Sequence, residues 1–224
     1  PHFKVPFAVG NDANAAALGE MLYGAARGMR DFLVITLGTG LGSGIVVNGE
    51  LVCGASGMAG EIGHIIVDPV GRACGCGRRG CLETYVSATG LVTTVQERLN
   101  SRSAPSLLRA LPGDRITSRA VFEAAEAGDP VAQEAFEFTG DLLGRKLADA
   151  VAFTSPEAII LFGGLAAAGD WLFRPTKQAL EENLMGLFRG TVRLLPAGIQ
   201  GANAAILGAA ALAWKALAEP RSNA

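Results

Sequence analysis

Short runs of consecutive apolar residues, bounded by glycine, asparagine or proline, alternate along this chain with longer stretches of helical period. An apolar run of four to eight residues between turn signals reads as a buried strand. Residues 5–9 (VPFAV), 32–37 (FLVITL) and 158–162 (AIILF) are such runs, and 191–195 (TVRLL) is a fourth. Residues 45–47 and 51–52 flank Asn48-Gly49, a dipeptide that favours a two-residue hairpin turn. Residues 32–53 are therefore predicted as a glycine-rich β-meander, with Cys53 on the returning strand and in the core.

Helices are predicted over 12–25, 89–99, 118–127, 171–187 and 203–218. Either Asn11 or Asp12 caps the first of them. Asp129-Pro130 pairs a capping carboxylate with proline at the first helical position, and opens a long helix reaching about residue 153. Ser155-Pro156 ends it. Residues 54–83 read as irregular apart from a short strand at 65–67, and 100–115 as an exposed polar connection. Strands alternating with helices in the second half predict an α/β fold.

Composition narrows the picture. Of the 224 residues, 50% are hydrophobic and 18% charged, enough apolar material for a large core and too much for global disorder. The net charge of -2 leaves no basic excess, so this segment is not expected to bind nucleic acid. Its most apolar stretch, 204–214, is too short to cross a bilayer, so no membrane contact is expected. No secretory pattern opens the chain, and the expected setting is the cytoplasm. The first residue is Pro1 rather than Met, in the lead-in to a strand, so a fragment of a longer protein is expected. The alanine-rich stretches 13–17 and 204–213 are expected in tightly packed helices, and Trp171, Phe188 and Trp214 in core or interface.

The candidate chemistry lies in four places. Gly38-Thr39-Gly40-Leu41-Gly42-Ser43-Gly44 lets backbone N–H groups approach phosphate oxygens without a Cβ in the way, and Thr39 adds a hydroxyl. The same run is equally a tight glycine turn. His64, Cys74, Cys76 and Cys81 are the ligand set of a closed, structural zinc site. Arg72, Arg78 and Arg79 are placed to offset thiolate charge. Asp12, Glu61 and Glu83 sit beside glycines, where rigid carboxylates suit sugar hydroxyls; solvated acids and a plain helix cap are the alternatives. Gly163-Gly164 follows a buried strand, a turn on which a flat ring such as adenine can rest.

Together these residues resemble the ROK family (repressors, open reading frames and sugar kinases). The matching stretches are Asn11-Asp12-Ala13-Asn14-Ala15, the glycine run through Ile45, Gly60-Glu61-Ile62-Gly63-His64, Cys74 through Glu83, and Pro156-Glu157-Ala158-Ile159-Ile160 with Gly163-Gly164. The resemblance implies an actin-like, ribonuclease-H-like ATPase fold and ATP-dependent phosphorylation of a hexose. Glucose comes first, with N-acetylglucosamine or N-acetylmannosamine as alternatives. By position, Asp12 is then the general base, and Asn11, Asp12, Glu61, His64 and Glu83 bind the sugar. Gly38, Thr39, Gly40, Gly42, Gly163 and Gly164 hold ATP, and Mg2+ rides on its phosphates. One ring nitrogen of His64 faces zinc and the other the sugar. The family's Asp-x-Gly-Gly-Thr phosphate loop is absent, so residues 1–224 are expected to be the larger lobe, with a sugar and zinc loop at 54–90 and a nucleotide side at 155–219. The N-terminal lobe is then missing, and this chain alone is expected to be a weak kinase. A sugar-responsive repressor of the same family is the alternative, and a homodimer is expected.

Overall fold

The computed structural model describes residues 10–199 and 203–218, so the strand predicted at 5–9 lies outside the described residues. Among them, five strands form one sheet in the order β3-β2-β1-β4-β5. They are β1 (Phe32–Leu37), β2 (Leu41–Val47), β3 (Glu50–Leu51), β4 (Ala158–Phe162) and β5 (Arg193–Pro196). The first three form the predicted antiparallel meander, and β4 and β5 run parallel to β1. The helices are α1 (Asp12–Tyr23), α2 (Ala88–Ser101), α3 (Ser118–Glu126), α4 (Pro130–Thr154), α5 (Asp170–Asn183) and α6 (Asn203–Ala218).

The central strands are apolar at nearly every position because both sheet faces are covered. Leu33, Ile35, Leu37, Ile159 and Leu161 belong to the main core with Phe136, Leu143 and Leu147 of α4. Phe32, Val34, Val46 and Ile160 point the other way, onto Ala16 and Ala17 of α1. The alanine-rich face of α1 also packs against α6.

The glycine run divides differently from the prediction. Only residues 38–40 form the turn, and Gly42, Ser43 and Gly44 lie inside β2. The reason is the approach of α1. A Cβ on Gly44 would stand 2.6 Å from Ala17 Cβ and 2.7 Å from the carbonyl oxygen of Ala13, and one on Gly42 would stand 3.1 Å from Ala13 Cβ. These two glycines admit the helix to the sheet.

Other elements also differ. Cys53 is exposed, because β3 ends at Leu51 and leaves it in the following loop. The strand predicted at 65–67 is a single bridge, Ile66 to Cys81. Residues 100–115 are not wholly exposed, for Leu108 is 1% exposed and joins the core. The helix predicted to residue 187 ends at Asn183, and β5 begins at Arg193. Trp171 and Phe188 pack on the core, whereas Trp214 is 64% exposed.

Asp129 explains why the 100–115 connection folds back. Its Oδ1 accepts from the N–H groups of Val131 and Ala132 at 2.9 and 3.0 Å, capping α4. Its Oδ2 accepts from Ser106 Oγ at 2.8 Å and from Leu107 N at 2.5 Å. Burial raises its pKa, but the hydrogen bonds from Ala132, Ser106, Leu107 and Val131 outweigh that and hold the carboxyl below its ordinary value. Its stabilisation is therefore fully present above the unfolded-state pKa and is lost as pH falls through the depressed folded one. Asp129→Ala is expected to cost about 2–4 kcal/mol, since it removes a cap and leaves buried donors unmatched. Chemical denaturation checks this, and a loss below about 0.5 kcal/mol contradicts it.

Candidate functional site

Ligands of α/β sheets collect where strands end at their carboxyl edge. Here that edge is the last residues of β1 and β4, Thr36, Leu37 and Phe162, beside the first turn of α1. They bound a cleft of about 950 Å³. Asn11, Asp12, Thr39, Gly40, Glu61 and Glu83 all line it, so the structure brings these predicted residues together.

Asn11, not Asp12, caps α1. Its Oδ1 accepts from Ala13 N at 2.8 Å and from Asn14 N at 3.4 Å. That leaves the Asn11 amide nitrogen as its polar group for a ligand. Asp12 is then the first helical residue. Its Oδ1 accepts from Ala13 N at 2.8 Å, which fixes the carboxylate at the cleft. Asp12 is exposed, because the cleft beside it is wide.

A second cavity, of about 490 Å³, lies past Gly38, which borders both spaces. Its walls include Ala88, Ser118, Phe122, Phe136, Gly164 and Leu165. The predicted glycine pair is thus split: Gly163 lines the first space and Gly164 the second. Gly163 has a φ of +101°, and a Cβ on it would stand 2.6 Å from the carbonyl oxygen of Leu37, so glycine is required for β4 to turn this close to β1. Gly42 also lines the cleft, but its N–H donates to Thr36 Oγ1 at 3.2 Å. Ser118 and Phe122 were not foreseen. The pattern of α3 is that of any amphipathic surface helix, and nothing in its spacing marks a ligand.

The cysteine loop forms one compact donor cluster. One ligand atom each from His64, Cys74, Cys76 and Cys81 lies within 4.8 Å of all the others. Cys74 Sγ stands 3.6 Å from His64 Nδ1, and Cys76 Sγ stands 3.6 Å from Cys81 Sγ. Tetrahedral zinc with Zn–S bonds of about 2.3 Å separates its sulfurs by about 3.8 Å, and a disulfide would need about 2.05 Å. The four residues therefore fit zinc. Burial pushes the Cys74 thiol up to about 12 and the Cys81 thiol upward. A hydrogen bond with Arg78 pulls the exposed Cys76 down to about 6.

The second ring nitrogen of His64, Nε2, faces Glu61 Oε2 at 3.8 Å. His64 itself is not part of the cleft wall; it stands behind Glu61 and reaches the cleft through it. Glu83 touches both regions: Oε1 lies 3.0 Å from Cys74 Sγ and 3.5 Å from His64 Nδ1, while a Cβ on Gly40 would stand 2.7 Å from Oε2. Arg72 is not beside the thiolates. Its guanidinium donates to Thr84 O, Gly90 O, Thr94 Oγ1 and Glu97, and stacks 4.3 Å from the Tyr85 ring, so it clamps the start of α2. Arg78 does stay near the cluster and donates to His64 O at 2.8 Å.

A family model described as ROK family matches residues 1–216. A glucokinase of Halalkalibacterium halodurans is 46% identical over 182 residues, which cover 80% of this chain and 54% of that protein. The DNA-binding transcriptional dual regulator NagC of Escherichia coli K12 is 31% identical over 215 residues, covering 96% of this chain and 52% of the regulator. A crystal structure of a ROK family glucokinase from Streptomyces griseus, in complex with glucose and AMPPNP, superposes with a TM-score of 0.86 at 39% identity, over 96% of this chain and 70% of that one. The chain thus spans about half the length of the first two relatives.

Proposed function

This chain belongs to the ROK family, and we propose on that premise that it serves the ATP-dependent phosphorylation of a hexose, glucose first. Its sheet is the actin-like, ribonuclease-H-like ATPase fold that the resemblance implied. What supports a kinase is the cleft itself: a helix-anchored carboxylate, an amide and two loop carboxylates meet a glycine turn across one space of about 950 Å³. Gly38 also borders a second space, of about 490 Å³, large enough for a nucleoside.

In this reading the sugar hydroxyl attacks the γ-phosphorus of ATP. The new P–O bond forms as the β,γ-bridging bond breaks, ADP leaves, and the hydroxyl proton passes to Asp12. The Asn11 amide, Glu61 and Glu83 hold the remaining hydroxyls, and His64 stands behind Glu61 and orients it. The turn at Gly38, Thr39 and Gly40 holds the phosphates, with Mg2+ on their oxygens. Gly164 and the wall beyond it take the adenosine. Zinc on His64, Cys74, Cys76 and Cys81 supplies a structural clamp, because the protein fills all four positions. The clamp keeps Glu61 and Glu83 in register with the cleft.

The activity is assigned to the whole length over which such relatives work, and this chain alone is expected to turn over weakly. ADP release with ATP and glucose, beside glucose titration calorimetry, tests both statements. Glucose-dependent ADP release by the full-length protein is the expected result. Glucose binding without turnover there favours a sugar-responsive repressor, as the likeness to NagC allows. Binding of no hexose overturns the reading. Robust turnover by residues 1–224 alone overturns the expected weakness.

A further inference from the structure

We infer that Thr89 is a positioning residue for the nucleotide phosphates, and that through it the cysteine loop sets the geometry of the phosphate turn. The inference rests on the kinase reading above. Between the last cysteine and α2 the chain makes a continuous series of contacts. Cys81 leads directly into the short helical turn Leu82–Thr84. The carbonyl of Glu83 accepts from Ser87 Oγ at 2.7 Å, and Ser87 Oγ accepts from Gly90 N at 3.0 Å, capping α2. From that cap two bonds cross to the turn: Ala88 N donates to Gly38 O at 2.8 Å, and Thr89 Oγ1 donates to Thr39 O at 2.6 Å.

The count of protons shows which of these bonds matter. Ser87 and Thr89 carry one hydroxyl proton each. With both spent on the carbonyls of Glu83 and Thr39, the Ser87–Thr89 contact at 3.0 Å is the one left without a proton. Thr89 thus commits its only side-chain donor to Thr39, although it is itself exposed and could give that donor to water. The bond holds the peptide of Thr39 in one orientation. Thr39 lines the cleft together with Gly38 and Gly40 of the turn. On the other side Glu83 touches both Cys74 and His64, so a metal-held loop and the phosphate turn share one strut. No atom of Thr89 need touch the nucleotide for this to act.

Thr89→Val removes the donor at nearly constant volume, and Thr89→Ser restores it. Calorimetry with Mg-AMPPNP should show Thr89→Val binding about five- to tenfold more weakly, the worth of one net hydrogen bond, and Thr89→Ser within about twofold of the parent. Zinc content and glucose affinity should not change in either variant. Chelation of zinc should weaken Mg-AMPPNP in the parent more than in Thr89→Val, because the strut is already cut. Equal Mg-AMPPNP affinity in parent and Thr89→Val overturns the inference and leaves the kinase reading standing. A valine variant that also loses zinc or glucose shows a merely structural role and overturns it too. A parent that binds no Mg-AMPPNP overturns both the inference and the kinase reading.

Discussion

Asp12→Asn should lower glucose phosphorylation by the full-length protein about a hundred- to ten-thousand-fold, the range supplied by a positioned general base. Asparagine keeps the size of the side chain, and its carbonyl oxygen can still accept from Ala13 N, as Asp12 Oδ1 does at 2.8 Å. The start of α1 therefore survives, since its cap is Asn11. What disappears is the group that takes the proton. The loss is bounded because positioning of the acceptor and charge neutralisation at the phosphates remain in place. Glucose binding should weaken by about tenfold at most, because the amide still offers a hydrogen-bond acceptor. Zinc content should stay constant, since Asp12 is no member of the donor cluster. Steady-state ADP release, calorimetry with glucose and metal analysis separate these effects. Turnover kept within about tenfold would remove Asp12 from the role of base.

Cys81→Ser should empty the metal site and loosen the whole loop. Cys81 is fully buried, and its backbone pairs with Ile66 across the loop. The loop from 54 to 84 contributes few core residues, chiefly Ile62 and Leu82, so a metal on the four donors would carry most of its order. Zinc per chain should fall from about one toward zero, since a closed site needs all four ligands. The thermal midpoint should fall by on the order of 10 °C. Glucose affinity should fall with it, because Glu61, His64 and Glu83 all ride on this loop. The protonation of the thiols adds a second observable. At pH 7 the Cys74 and Cys81 thiols, both pushed upward by burial, hold their protons, while Cys76, drawn to about 6 by Arg78, is already a thiolate. Zinc uptake should therefore release about two protons at pH 7, and zinc affinity should rise with pH. Calorimetry in buffers of different ionisation heat counts them. Stoichiometric zinc in Cys81→Ser, with an unchanged melting curve, would show that the loop does not depend on the metal.

The runs at 32–37 and 158–162, the long α4 with its Asp129-Pro130 start, and the hairpin at Asn48-Gly49 were legible in the chain as written, because each depends on neighbours in sequence. So was the donor set, since ligands spaced by one and four residues leave a loop little choice but to converge. Other features were not legible, for a common reason. Whether Gly42 and Gly44 serve a ligand or a helix depends on where α1 lands, and only the packed α1–β2 interface shows Ala13 and Ala17 against them. Arg72 reads as a charge beside the cysteines, yet Thr84, Gly90, Thr94 and Glu97, up to 25 residues away, claim its guanidinium. Leu108 lies in a polar stretch, and a carboxylate twenty-two residues beyond Leu107 draws it in. Periodicity and turn chemistry act over a few residues and so determined most of the elements, the His64, Cys74, Cys76 and Cys81 donor set and the α/β class from the sequence alone. The wall of the second cavity, the choice of Asn11 as cap and the bond from Thr89 to Thr39 were decided only in three dimensions, where distant groups compete for the same few donors and the same space.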